Sequence, residues 1–359
     1  MLPERAAVEG ELFFRNSSSR LIRKLKIKTD MTMRKLIYIT GLTAFLAGAP
    51  SCTDREQDDL IPDEARTEVT FAYTPARSAG DPAPRILIFR GQNGGYFYSQ
   101  TISDGWATGI SGAYTRSVQL PLGDYKFLYA AGYGTHTLLS PQFPSGSTGF
   151  DAVSFQNLLA GGYLLPADEL YMQYPLADAG RVHTITGPVS VSCTLRRVVS
   201  QLVLHLKRGY KSGDAFVAQP YVDPASDNVT RRLKSIDLVL AGVAQGVSLA
   251  GSQGEGSVSA SLDVTGATPD AEGFVTLPGP FFIPRSGLPL EKIDFTILLQ
   301  PGSSLENLAQ EVDLSAYSVG PDKRMEITLW FDSFDLPVGI EAEIDTSFFT
   351  QGGDEGMWN

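Results

Sequence analysis

Ser117-Val118-Gln119-Leu120-Pro121-Leu122-Gly123-Asp124-Tyr125-Lys126-Phe127-Leu128-Tyr129-Ala130 carries a strand signal on each side of a turn signal. Apolar and polar residues alternate up to Leu120, a Pro/Gly/Asp cluster interrupts them, and alternation resumes at Tyr125, Phe127 and Tyr129. Period-two alternation on both sides of a turn signal reads as strand, turn, strand. Upstream, Glu68-Val69-Thr70-Phe71-Ala72-Tyr73 alternates as a half-buried first strand should. Ile86-Leu87-Ile88-Phe89 is a short buried strand, and Asn93-Gly94-Gly95 is a hairpin signal before Tyr96-Phe97-Tyr98. Residues 134–162 read as loop, with a helical turn expected between Phe155 and Leu159, and Asp168 to Met172 reads as short and extended.

A second set of strands begins near residue 189. It comprises Leu195 to Leu206, Lys234 to Leu240, Val247 to Leu249, Val258 to Leu262, Gly273 to Leu277, Phe281 to Ile283, Lys292 to Leu299, Met325 to Phe331 and Gly339 to Ile344. Turn signals every 8–12 residues or so, with no long run of helical periodicity, place the chain in the all-β class as two sandwiches. The expected organisation is an upstream extension and signal over 1–51 and a tether over 52–66. A first β-sandwich follows over 67–188 and a second over 189–345, with the boundary at the turn Gly187-Pro188, and then a tail over 346–359.

The segment Met33 to Asp59 sets the expected location. Arg34 and Lys35 precede an apolar run from Leu36 to Ala49, which is shorter than the roughly 20 residues a membrane helix needs. Basic flank, short apolar core and small residues at the exit make a secretory signal. The exit residue is a cysteine, and Ala49-Pro50-Ser51-Cys52 resembles a bacterial lipoprotein signal. That resemblance implies acylation of the Cys52 thiol, which would become the first residue of the mature chain. Acyl chains hold a protein to a membrane at about 0.8 kcal/mol per buried CH₂. A polar, acidic segment from Asp54 to Glu64 follows.

Charge and cysteine count narrow the function classes. Residues 1–51 hold 9 Lys+Arg and 4 Asp+Glu, so the remainder carries 20 and 36, a net charge of −16. That disfavours nucleic acid and anionic membrane surfaces as partners. With Cys52 acylated, Cys193 stands alone and no intramolecular disulfide forms. In the alternating run Val189 to Leu195 it reads as a small buried residue rather than a nucleophile.

Catalytic and metal signatures are missing. His136, His183 and His205 are far apart, no His/Cys/Asp spacing suits a metal, and no G-x-S-x-G, Walker A or H-E-x-x-H run occurs. The chain is expected to be no enzyme and to need no cofactor or metal. Gly251, Gly254 and Gly256 suit a surface hairpin, because no helix follows to cradle a phosphate. Asn228-Val229-Thr230 is an N-glycosylation sequon by pattern. Trp106 and Tyr96-Phe97-Tyr98 could stack on sugars, which keeps a surface glycan-binding lipoprotein as the alternative function; such aromatics more often pack in cores.

The order of the motifs carries one further resemblance. A lipoprotein signal, an acidic tether, Val69-Thr70-Phe71-Ala72-Tyr73, Ile86-Leu87-Ile88-Phe89, the expected hairpin Leu120 to Phe127 and the strand Leu195-Arg196-Arg197-Val198-Val199-Ser200-Gln201-Leu202 resemble the fimbrillin superfamily of Bacteroidales, especially its lipoprotein anchor and accessory subunits. The resemblance spans roughly residues 33–345 and implies two transthyretin-like Greek-key sandwiches. It also implies display on the outer membrane and assembly with other fimbrial subunits by strand exchange. The acidic run after Cys52 resembles the surface-export tag of lipoproteins in that phylum. Processing of the family type would fall at Arg66 or at Arg77, which lies in a Pro/Ala/Ser/Gly loop that proteases reach. The strand-exchange edge would then be the first strand, with Val69, Phe71 and Tyr73 on one face, or the C-terminal alternation Ile340, Ala342 and Ile344. Cutting after Arg77 would also sever the sandwich from Cys52, so a basal anchor is expected to keep its first strand.

Overall fold

The strands on either side of Pro121–Gly123 form as their alternation requires, but they do not pair with one another. In the computed structural model, which describes residues 64–345 apart from 75–81, 109–112, 143, 175, 214, 302–306 and 333–336, they belong to distant parts of one sheet. In chain order the strands are β1 (Arg66–Thr74), β2 (Arg85–Gln92), β3 (Gly95–Ile102), β4 (Ala107–Thr108), β5 (Tyr114–Pro121) and β6 (Gly123–Ala131). Next come β7 (Thr137–Ser140), β8 (Ser154–Asn157), β9 (Leu159–Ala160), β10 (Tyr163–Leu164), β11 (Tyr171–Tyr174), β12 (His183–Ile185) and β13 (Val189–Arg197). The second half opens with β14 (Ser200–Ser212), β15 (Ala215–Ala218), β16 (Leu233–Val243), β17 (Gly246–Ser248), β18 (Gly251–Gln253) and β19 (Gly256–Asp263). It closes with β20 (Val275–Phe282), β21 (Lys292–Leu299), β22 (Leu308–Asp313), β23 (Arg324–Phe331) and β24 (Pro337–Asp345). Only two four-residue α-helices interrupt the strands among the described residues, α1 (Leu176–Ala179) and α2 (Val229–Arg232). The fold is all-β.

The first sheet has nine strands in the order β3-β2-β6-β11-β13-β1-β5-β4, with β12 also on β6. It curls around its own core. Phe71 on β1 and Phe127 on β6 are three strands apart, about 14 Å in a flat sheet, yet their rings meet edge-on at 4.9 Å. The expected hairpin at Pro121–Gly123 is instead a corner that carries the chain from β5 across this core to β6. Gly123 has φ 146°, where a side chain would be strained, and the Tyr125 hydroxyl braces the corner by donating to the Pro121 carbonyl at 2.8 Å. Alternation reports which face of a strand is buried, not which strand lies beside it.

The same sheet is covered on its other side as well. Ile86, Leu87, Ile88 and Phe89 are all fully buried, with Ile86 and Ile88 in the curled core and Leu87 and Phe89 in a second core. Burial on both faces explains why β2 reads as a continuous apolar run. That second core includes Phe150, Val153 and Phe155, and Val247 from a four-stranded sheet β18-β17-β8-β7. Residues 134–162 are therefore not a loop. Phe155, placed in a helical turn by its sequence, lies fully buried in β8, and the helical turn is a 3₁₀ turn at Phe150–Ala152. Four-residue strands hold too few alternations for their period to show.

The second half packs a six-stranded sheet, β22-β21-β16-β19-β10-β9, against a five-stranded one, β15-β14-β23-β24 with β20 on β14. Leu202, Leu204 and Leu206 of β14 meet Ile236, Leu238 and Leu240 of β16 in one core with Ile293, Phe295 and Ile297. The expected boundary at Gly187-Pro188 falls inside the first sheet, because β13 begins at Val189 and pairs with β1 and β11. The chain changes sheets at Val198-Val199, both in the second core beside Ala244 and Ile283. A turn between two strands of one sheet carries the same Gly-Pro chemistry as a turn between domains.

Candidate strand-exchange site

β1 is not an edge. It lies between β13, parallel to it, and β5, antiparallel. The register sets Val69, Phe71 and Tyr73 opposite Val189, Val191 and Cys193 on one side and Val118, Arg116 and Tyr114 on the other. The three side chains are 0%, 0% and 2% exposed. Phe71 also meets the Tyr129 ring at 6.1 Å. Tyr73 is gripped at the strand's C-terminal end by Trp106, edge-on at 5.0 Å, and by Tyr114, stacked at 5.1 Å. The opposite face is polar, with Thr70 bonded to Ser117 at 2.8 Å. A ladder on each side and three buried anchors make β1 the most completely held strand that the expected site contains, and its loss would open a slot between β13 and β5.

Arg66 begins β1 opposite Pro121, and the neighbouring carbonyl of Ala65 accepts from the Leu122 amide at 3.0 Å. Glu64 pairs with Arg90 at 2.7 Å. The backbone at Arg66 is thus held in a ladder, not offered as a loop. Arg77 and Cys52 lie outside the described residues. Among the described residues β24 pairs with β23 alone and ends its sheet. Ile340, Ala342 and Ile344 stand opposite Leu329, Ile327 and Met325, which are core residues of β23. Of the two candidate strands, β24 is the one with an open edge among the described residues.

The titratable groups around β1 are tuned by burial, not by partners that would make them reactive. Burial pushes the Tyr129 phenol up, and its hydroxyl donates to the Val191 carbonyl at 3.3 Å. Burial likewise raises the Cys193 thiol, which favours its protonated form over the nucleophilic thiolate. His183 lies against Phe127 and is lowered first by burial and then by Arg181. His136 meets the Pro166 carbonyl and His205 sits between Thr276 and Glu326, so the histidines do not converge. Among the described residues no three His, Cys, Asp or Glu side chains gather as a metal site.

Three of the four aromatic residues considered for sugar stacking have partners within the fold. Trp106 covers Tyr73 and donates its indole N–H to the Pro84 carbonyl at 3.2 Å. Tyr98 packs on Phe89, and the Lys126 ammonium covers the Tyr96 ring at 4.8 Å. Asn228 of the sequon is buried and caps α2, accepting from the Thr230 amide and donating to the Pro224 carbonyl.

Sequence reasoning missed the polar hub under the first sheet. The Asp168 carboxylate accepts from the amides of Gly134, Thr135, His136 and Thr137 at 2.8–3.1 Å. Beside it Arg197, 4% exposed, donates to Glu169 and to the Tyr171 hydroxyl. A Cβ on Gly132, at φ 72°, would meet the Glu169 carbonyl at 2.1 Å. Nothing local in the sequence marks Asp168, since its donors lie over thirty residues away.

No family model matches the chain, and no curated protein matches it. Solved structures do. A candidate polysaccharide-binding protein from Bacteroides thetaiotaomicron is 14% identical, with 79% of this chain and 98% of that one covered and a TM-score of 0.48. The fimbrial anchor protein Mfa2 from Porphyromonas gingivalis is 11% identical, with 74% and 91% covered and a TM-score of 0.44. The tip fimbrial protein Mfa3 from the same organism is 14% identical, with 78% and 99% covered and a TM-score of 0.36.

Proposed function

We propose that the chain is a surface lipoprotein of the outer membrane that serves as an anchor or accessory subunit of fimbriae. The observation that carries the reading is the position of β1. The strand nearest the acidic tether and Cys52 is an interior strand with three buried anchors, and a neighbouring subunit's strand of similar alternation would satisfy the same ladders. β24 offers a second main-chain edge for a partner subunit. The signal ending at Cys52 supports membrane attachment, and the buried, scattered titratable groups support a structural role in place of a catalytic one.

In an anchor, β1 stays in place, because any cut between Cys52 and β1 or after β1 separates the sandwich from its lipid. N-terminal sequencing of the protein recovered from assembled fimbriae tests this. A mature start at Cys52 is expected. A start at Ser78 makes the chain a processed shaft or tip subunit and removes the anchor assignment.

A further inference from the structure

A polar cleft opens beside α2 in the second half of the molecule. Its volume is about 740 Å³, within the roughly 300–1,000 Å³ of small-molecule sites. Pro224, Thr230, Arg231, Pro269, Asp270 and Gln300 are among its walls, and among the described residues no aromatic or large aliphatic side chain lines it. Three chain segments form the cleft, and the backbone ties them together. The Tyr221 and Val229 amides donate to the Glu272 and Gly273 carbonyls at 3.0 and 3.3 Å, and the Gln300 amide donates to the Arg232 carbonyl at 2.9 Å. The walls are therefore set before a ligand arrives, which lowers the ordering cost of binding.

The polar wall residues commit one atom to the fold and leave another free. Gln300 Nε2 donates to the Thr230 and Leu233 carbonyls, each at 3.1 Å. Carbonyls cannot donate, so the amide nitrogen faces them and Oε1 is left as an acceptor. Asp270 Oδ1 accepts from the Glu272 and Phe274 amides at 2.8 and 2.9 Å, and Oδ2 has no partner among the described residues. The Thr230 hydroxyl donates to Asn228 Oδ1 at 2.7 Å and keeps its lone pairs. The exposed Arg231 guanidinium has neither hydrogen bond nor ion pair among the described residues. One cation and one anion leave these walls without net charge, so an anionic ligand meets Asp270 and a cationic one meets Arg231. A neutral ligand that both donates and accepts satisfies both. Neighbouring hydroxyls of a sugar do so, one accepting from the guanidinium and another donating to the carboxylate. We propose that this cleft binds a neutral saccharide, with Arg231 as donor and Asp270 and Gln300 as acceptors. The inference does not depend on the fimbrial reading.

The test uses the full chain in saturation-transfer NMR with a panel of neutral oligosaccharides built from hexoses, N-acetylhexosamines and deoxyhexoses, beside uronic-acid and sulfated oligosaccharides. At least one neutral member is expected to bind, and the acidic members to bind more weakly. Three substitutions then locate the contact. Arg231→Met removes the donor. Asp270→Asn keeps an oxygen for the Glu272 and Phe274 amides and replaces the free acceptor by a donor. Each is expected to weaken the selected saccharide by at least about tenfold in calorimetry, as loss of one hydrogen bond to a charged group implies. Ala225→Trp, at an exposed wall position outside this hydrogen-bond network, fills the cleft and is expected to abolish binding. The melting temperature is expected to stay that of the parent chain. Absence of binding by every neutral member, preference for the acidic members, or an affinity that any of the three substitutions leaves unchanged overturns the proposal.

Discussion

Phe71 and Tyr171 show what single side chains do here. Phe71 is fully buried against Phe127 and Tyr129 in a core that the sheet forms by curling on itself. Truncation leaves a void that the surrounding core only partly fills, so Phe71→Ala is expected to cost about 3–5 kcal/mol in denaturant unfolding. Asp168→Ala removes the acceptor of four backbone amides and is expected to cost about 1–3 kcal/mol by the same measurement. Tyr171 gives a pH signature. Its phenol is pushed up to about 12, first by burial; the hydrogen bond from Arg197 works against the rise and that to Glu169 adds to it. A phenol ionises near 10 in the unfolded chain. The folded state therefore holds this proton more tightly. The associated stability is complete below pH 10 and is lost as pH rises towards 12. Thermal melts across that range are expected to show a falling melting temperature, with a shallower fall in Tyr171→Phe. An equal slope in the variant rules out this account.

Strands are the scale at which exchange is decided. Among the described residues β1 has a partner on each side and β24 has one. A chain beginning at Ser78 lacks β1 and exposes the facing edges of β13 and β5. A synthetic peptide with the sequence Arg66–Thr74 is expected to bind that chain by completing both ladders, and a peptide with Phe71→Ala to bind far more weakly, as measured by calorimetry. Equal binding of both peptides would mean that main-chain pairing alone, without the buried anchors, sets the affinity. The Tyr73, Trp106 and Tyr114 cluster at the end of β1 is expected to slow its departure, because leaving requires these ring faces to be wetted.

Across the whole molecule, the second core decides how the halves depend on each other. Leu87, Leu128 and Met172 from the first half share it with Ala244, Val247 and Ile283 from the second. A fragment from Thr67 to Thr186 omits β13 and leaves β1 and β11 without the strand that separates them. It is expected to lack a cooperative thermal transition, and a fragment extended to Val199 to regain one, followed by circular dichroism. A cooperative transition in the shorter fragment would place the folding boundary at Gly187-Pro188 after all.

Alternation and turn residues, which are local and act within a few positions, specify the all-β class, most strand positions and their buried faces. Val69, Phe71 and Tyr73 were legible as one buried face on that ground, and Ile86 to Phe89 as a buried strand. Long-range pairing makes β1 interior and, among the described residues, β24 terminal; it makes Pro121–Gly123 a corner and not a hairpin, and puts β13 in the first sheet. It also brings Asp168 to the amides of a distant loop. These are choices between neighbours, and they are made by non-local ladders and by the curling of a twisted sheet on its own core. Residues that alternate identically carry no mark of which strand will lie beside them.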